Sequence, residues 1–240
     1  MDERCGVLAL VGGGEWSAGC DFDADLLAAS GGADVLVLPT AGAYENPTRE
    51  VQRAEEWFSS IGGRARGLMV LSRRDAEDTA NAAIVRSSRF VYLGGGSALH
   101  LRSVLKDSAV WRALVAAWYD GTVVAGAGAG AMVLSDPMVD PRGGALTVGL
   151  GMVRGMAVIS HFGEENAEKV HRSVTLAAPG LAVVGLPERT ALLRAPGGSW
   201  SQAGNGQVEV FLSGHPAGLD ALPAAVTAEP VLSGPEVDED

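Results

Sequence analysis

Short apolar runs alternate with amphipathic stretches along the first half of the chain. Gly6–Val11, Asp34–Leu38 (DVLVL), Arg66–Leu71, Arg89–Leu93 (RFVYL) and Thr122–Gly126 are five or six residues long and mostly aliphatic or β-branched. That length and composition suit strands buried on both faces. Between them Asp21–Ser30, Asn46–Ile61, Arg74–Arg86, Ala98–Leu105 and Ala109–Tyr119 read as helices. The second of these carries Asn46 where a cap belongs, Pro47 at the first helical position and Gly62-Gly63 as a stop. Strand-helix alternation of this kind predicts an α/β fold, flavodoxin-like, with a mostly parallel sheet and helices on both faces. Ligands of such sheets bind outside the carboxyl ends of the strands. Three glycine clusters fall there: Gly12–Gly14, Gly94–Gly96 and Gly126–Gly130.

The pattern changes past mid-chain. Met156–Ser160 reads as a strand ending at His161-Phe162, and Glu164–Ala177 as a helix. Leu181–Leu186, Thr190–Arg194, Ser199–Ala203 and Gln207–Leu212 are short strand candidates set apart by Gly and Pro. They predict an antiparallel edge added to the sheet near the C-terminus. No repeat or linker interrupts the chain, so residues 1–212 are expected to form one domain. Residues 213–240, rich in Pro, Gly and acids, are expected to be a poorly ordered tail.

Composition narrows the function. Hydrophobic residues make up 47% and charged residues 20%, a globular balance. No run approaches the roughly 20 apolar residues of a membrane helix, and the start, MDERCGVLALVGGG, does not read as a leader. A cytoplasmic protein without a membrane partner is expected. A formal net charge of −11 leaves no basic surface for nucleic acid. The two cysteines, Cys5 and Cys20, make neither a metal pattern nor a disulfide framework. No metal or cofactor is expected; a homodimer remains open.

The stretch VVAGAGAGAMVL, Val123–Leu134, carries the sharpest chemical signal. A strand that turns abruptly into a helix needs glycines where no Cβ fits, and hydrolases place a serine at its tip in the frame Gly-x-Ser-x-Gly. Here that frame reads Gly126-Ala127-Gly128-Ala129-Gly130. The backbone N–H after the tip, that of Ala129, is the expected oxyanion donor. Gly126-x-Gly128-x-x-Ala131 also fits a dinucleotide fingerprint formally, but no acid for a ribose follows at the end of a next strand.

The whole order resembles the serine peptidases of the dipeptidase E and cyanophycinase family, of the class I glutamine-amidotransferase-like fold. The matching pieces are VGGGE (Val11–Glu15), DVLVLPTA (Asp34–Ala41), VYLGGGSALHL (Val91–Leu101), VVAGAGAGAMVL, GLGMV (Gly149–Val153), SHF (Ser160–Phe162) and PERTALL (Pro187–Leu193). The resemblance puts the nucleophilic serine at Gly128, which has no side chain and cannot form an acyl-enzyme. Ser135, further along the following helix, and Ser160, on another strand, are not at the tip. The resemblance implies that His161 is the general base. Glu188, Asp136 and Asp140 are all candidates for its acidic partner. The Gly94–Gly96 cluster, through Gly95 and Gly96, would supply the second oxyanion donor. Ser97 stands where the family often has Asn, Asp or Gln. Arg142, Arg154 and Arg172 are candidates to hold an acidic substrate side chain.

The resemblance therefore implies a homologue of peptidases that cleave beside aspartate, without its covalent route, keeping a pocket for a small acidic peptide or metabolite. Two other readings stay open on the residues alone. One is a hydrolase in which His161 activates water directly, and the other is a nucleotide-binding protein using the Gly126–Ala131 turn.

Overall fold

The computed structural model describes residues 5–163 and 167–224. Five adjacent strands of its seven-stranded main sheet run parallel: β1 (Leu8–Val11), β2 (Asp34–Leu38), β3 (Arg64–Gly67), β4 (Phe90–Leu93) and β5 (Val123–Ala127), in the order β1-β5-β4-β2-β3. Every residue of β1, β4 and β5 is buried, whereas β3, at the edge, has none buried. Side chains alternate across the sheet with the period of two that strands impose. Ala9, Val11, Val35, Val37 and Tyr92 pack with Phe58 of helix Pro47–Ser60 on one face. Leu8, Leu10, Leu36, Leu38 and Leu93 pack with Leu101 and Trp118 of helices Ala98–Leu105 and Ala109–Tyr119 on the other. The parallel α/β fold with helices on both faces is thus the one the strand pattern predicts.

Three local expectations need correction. The helix expected over 74–86 is two helices, Arg73–Glu77 and Thr79–Arg86, broken at Asp78, whose carboxylate caps the second by accepting from Ala80 N–H at 2.8 Å. The antiparallel edge consists of Thr190–Arg194, paired with β1, and Trp200–Gly204 beyond it. The other two late strands leave the main sheet for a second, six-stranded one. There Ala182–Leu186 runs parallel to Met156–Ser160, because helix Ala167–Leu176 intervenes as a crossover. Residues 164–166 of the helix expected from Glu164 lie outside the described residues.

The chain past Leu212 adds strand His215–Ala217 to that second sheet. Trp200 Nε1 donates to the carbonyl of Pro223 at 3.0 Å, and Arg194 to that of Ala224 at 2.8 Å. Residues 213–224 therefore belong with the fold rather than with a tail; residues 225–240 lie outside the described residues. Among the described residues no helix is long and apolar enough to cross a membrane.

Candidate active site

β5 turns at Gly128 directly into helix Ala129–Leu134. The three glycines of this turn are there for different reasons. A Cβ on Gly126 would lie 2.6 Å from the carbonyl carbon of Gly130, and one on Gly130 would lie 2.5 Å from the oxygen of Leu93. Both positions admit only hydrogen. Gly128 is the reverse case: its backbone, at φ 51° and ψ −108°, is one that glycine adopts freely and other residues only under strain, but its side is open. A Cβ there would meet only His161 Nε2 at 3.5 Å and Gly95 Cα at 3.8 Å, both ordinary contacts. The tip residue thus points its missing side chain at the imidazole.

The first glycine cluster brings His161 there. His161 N–H donates to the carbonyl of Gly12 at 2.7 Å, and Arg189 N–H to that of Gly13 at 2.7 Å. Gly128 N–H donates to Val11 at 2.9 Å. The end of β1 thereby ties together the elbow, the strand that ends at Ser160 and the turn that carries Glu188. His161 and Arg189 both take left-handed backbone conformations, φ 50° and 55°, to make these bonds. Strain of this kind collects at functional sites. His161 Nδ1 lies 3.0 Å from Glu188 Oε1, which leaves Nε2 facing the elbow. Both side chains are about half exposed.

Glu188 is therefore the acid beside His161, and the other two candidates are elsewhere. Asp140 is held by Arg142 in a two-pronged pair, at 3.0 and 2.6 Å. Asp136 accepts from Gly149 N–H at 3.0 Å. The expectation that Asp140 belongs to the catalytic group is corrected: its partner is two residues away and takes both its oxygens. Ser135 ends its helix, buried, with its hydroxyl on the carbonyl of Met132. Ser160 donates to the Met132 sulfur.

The expected substrate arginines also fall outside the cleft. Arg142 is engaged by Asp140. Arg172 donates to the carbonyl of Gly143 at 3.1 Å and pairs with Glu168 at 3.6 Å. Arg154 lines a separate recess with Asp136 and Thr147. Ser97 caps helix Ala98–Leu105, its hydroxyl oxygen accepting from His100 N–H at 3.3 Å, and it does not line the Gly128 cleft.

The cleft at Gly128, about 630 Å³, is lined by Gly95, Gly96 and His161. It is also lined by Glu15 and by Glu45, Asn46, Arg49, Glu50 and Arg53. Sequence reading missed these polar residues. A signal was present: helix Pro47–Ser60 follows β2, so its first turns lie at the carboxyl end of the sheet, where ligands bind. Gly95 and Gly96 do line the cleft as expected, and Ala129 is the first residue of its helix, so its N–H has no partner within the helix. The dinucleotide reading loses ground here. The turn faces an imidazole, and residues 146–147 form a separate hairpin with 138–139 rather than a next parallel strand.

The family model described as Peptidase family S51 matches residues 8–198. The chain belongs to peptidase family S51. Two curated relatives, the cyanophycinases of Synechococcus elongatus and Thermosynechococcus vestitus, are each 24% identical over 192 residues, 75% of this chain. The chain spans 60% of the length of these relatives. The crystal structure of a peptidase from an acI-B1 Actinobacterium is 26% identical and covers 89% of this chain and 93% of its own, with a TM-score of 0.76. A Listeria monocytogenes EGD-e protein assigned to peptidase E shares the fold at 16% identity and a TM-score of 0.61, covering 87% of this chain and 98% of its own. The S51 chain described here thus has the class I glutamine-amidotransferase-like architecture.

Proposed function

We propose that this S51 member binds small peptides in the Gly128 cleft and has no covalent route to their hydrolysis. The observation that carries the reading is the pairing of an open elbow with an oriented base. A Cβ at 128 would stand 3.5 Å from His161 Nε2, while Nδ1 is held at 3.0 Å from Glu188.

In a serine-bearing elbow the hydroxyl would attack the scissile carbonyl as Nε2 takes its proton. Glu188 would fix the ring tautomer and stabilise the imidazolium. The backbone N–H groups of Ala129 and of the Gly95-Gly96 loop would face the developing oxyanion. Without an atom at the tip no acyl-enzyme forms. Loss of the nucleophile costs about a million-fold in comparable triads, and the remaining groups retain roughly 10³–10⁴ over water. Arg49 and Arg53 are the cations available to an acidic peptide, in place of Arg142 and Arg172.

The experiment is hydrolysis of aspartyl dipeptides and aspartyl chromogenic amides by the unaltered chain and by Gly128→Ser. Turnover is expected only in the variant. An unaltered chain as fast as the variant would overturn the reading.

One observation favours a second reading. The space beside Nε2 that a serine would fill is open to a water molecule, so His161 can act as general base to water itself. Slow turnover by the unaltered chain, abolished by His161→Ala and never showing an acyl burst, would select it.

A further inference from the structure

A recess of about 430 Å³ opens at the amino ends of β2 and β4, the end of the sheet away from Gly128. Arg89 immediately precedes β4, whereas Gly95 and Gly96 of the Gly128 cleft follow it. The peptidase-like chemistry makes no use of this recess.

Arg66 and Arg89 both line it. Both are exposed, and among the described residues neither guanidinium has a hydrogen bond or an ion pair. The neighbouring arginines are engaged. Arg64 holds Asp34 through Nε at 3.0 Å and Nη2 at 2.9 Å, and Arg86 holds Asp120. Asp34 is the acid among the residues lining the recess, and its charge is already answered by Arg64. Two positive charges are thus left over at one end of the sheet, on a chain whose formal net charge is −11.

The surroundings keep these charges open to a ligand. Arg89 lies against the turn Gly31-Gly32: a Cβ on Gly31 would stand 3.7 Å from Nη2, and one on Gly32 would stand 3.9 Å from Cδ. Side chains at these positions would lie over a guanidinium that the glycines leave uncovered. Ser87 and Ser88 follow helix Thr79–Arg86 and line the recess too. Their hydroxyls donate to the carbonyl of Ile84, at 3.1 and 2.8 Å, and their N–H groups to those of Ala83 and Val85. The carbonyls of that helix end, which would repel an anion if left bare, are therefore already bonded.

We infer that this recess is an anion site that holds a phosphoryl dianion between Arg66 and Arg89. A guanidinium presents a planar fork of donors that matches two phosphate oxygens, and it stays charged at any working pH. Two forks can engage two edges of one tetrahedral dianion, whereas one carboxylate offers only two oxygens. The recess is larger than a phosphate group, and Leu36 gives it an apolar wall. It can therefore take either free phosphate or the phosphate of a small ester. The site lies apart from the elbow and stands whether or not that cleft takes peptides.

The test is titration calorimetry on the full chain in chloride buffer, with glycerol phosphate, inorganic phosphate and succinate as probes. One-to-one binding of a phosphate species is expected. It should weaken about tenfold or more in Arg66→Gln and in Arg89→Gln, the scale of one lost charge-assisted pair. Gly32→Asp keeps both arginines and sets a carboxylate beside Arg89. Its backbone lies outside the left-handed region, so the substitution is permitted, and it should weaken binding likewise. The tighter of the two phosphate probes identifies the source, ester or free ion, and either order supports the site. Succinate should bind more weakly than both. Affinity for the ester should fall from pH 7.5 to pH 5, because its second pKa is about 6 while arginine does not titrate.

Absence of binding by both phosphate species would refute the site. So would binding unchanged in all three variants, which would put the anion elsewhere, for instance at Arg49 and Arg53 of the cleft. Succinate bound as tightly as the ester, or an ester bound equally at the two pH values, would overturn the phosphoryl assignment. These last two comparisons use the unaltered chain, so they decide even where a variant does not fold.

Discussion

Gly13 lies directly beneath the imidazole of His161: a Cβ on Gly13 would fall 2.2 Å from Cε1 and 2.8 Å from Nε2. The base is therefore seated on a backbone position that admits no side chain, itself at φ 125°. Gly13→Ala is expected to push the ring off its place beside the elbow. Added to Gly128→Ser, it should remove the turnover that the serine confers. Its backbone strain should cost about 1–3 kcal/mol in urea unfolding. Retention of full Gly128→Ser activity in the double variant would show that the ring does not depend on Gly13.

Gly128→Ser trades stability for chemistry. At φ 51° and ψ −108° any side chain is strained, so the serine variant should unfold with about 1–3 kcal/mol less free energy than the parent. It should nevertheless hydrolyse aspartyl substrates at least 10³-fold faster. Chemical denaturation and initial rates on one preparation check both halves.

The two acids proposed from sequence separate cleanly. In the Gly128→Ser background, Glu188→Gln should lower kcat by about 10⁴, the scale at which loss of the ring-orienting carboxylate is felt in triads. Asp140→Asn should leave kcat unchanged. It loosens a pair whose Arg142 end is 75% exposed, and should cost about 1 kcal/mol or less. Reversal of the two kinetic effects would make Asp140 the functional acid after all.

Stability should fall as pH rises through the neutral range. Asp23 is fully buried and accepts from Trp57 Nε1 at 2.9 Å, while its Oδ1 has no partner. Burial pushes its carboxyl up from 3.8 to about 7, against the hydrogen bond from Trp57. A carboxyl held above its unfolded value takes up a proton on folding between about 4 and 7. It therefore destabilises the fold increasingly as pH rises through that window. At about 1.4 kcal/mol per unit the loss is on the order of 4 kcal/mol. Urea unfolding from pH 4.5 to 8 should show this decline, to which Glu50, its carboxyl pushed up to about 8 by burial, also contributes, and Asp23→Asn should remove its own share and reduce the slope. A slope unchanged by the substitution would place the titrating group elsewhere.

The parallel core was legible because four of its five strands are short apolar runs whose alternate residues fill opposite faces, as Leu8 and Leu10 against Ala9 and Val11 do; the edge strand β3, Arg64–Gly67, is polar and starts before the run expected over Arg66–Leu71. The destination of the later strands was not. Ala182–Leu186 and Thr190–Arg194 are alike in length and apolar character, yet one joins the second sheet and the other the first. The cleft residues on helix Pro47–Ser60 were legible only through their place at a strand's carboxyl end. Their charges look like those of any solvated helix face.

By itself the sequence determined the covalent limits of this protein. A glycine at 128 supplies no attacking atom in any fold, and apolar runs separated by amphipathic helices with glycine turns dictate a parallel sheet. Only the tertiary structure decided which charged groups meet. Glu188 reaches His161 across 27 positions of chain because both are tied to the Gly12-Gly13 turn, while Asp140 closes on Arg142 two residues away. Side-chain identity is local information. Which carboxylate stands beside a given imidazole depends on backbone hydrogen bonds between distant segments, and those exist only once the sheet is formed.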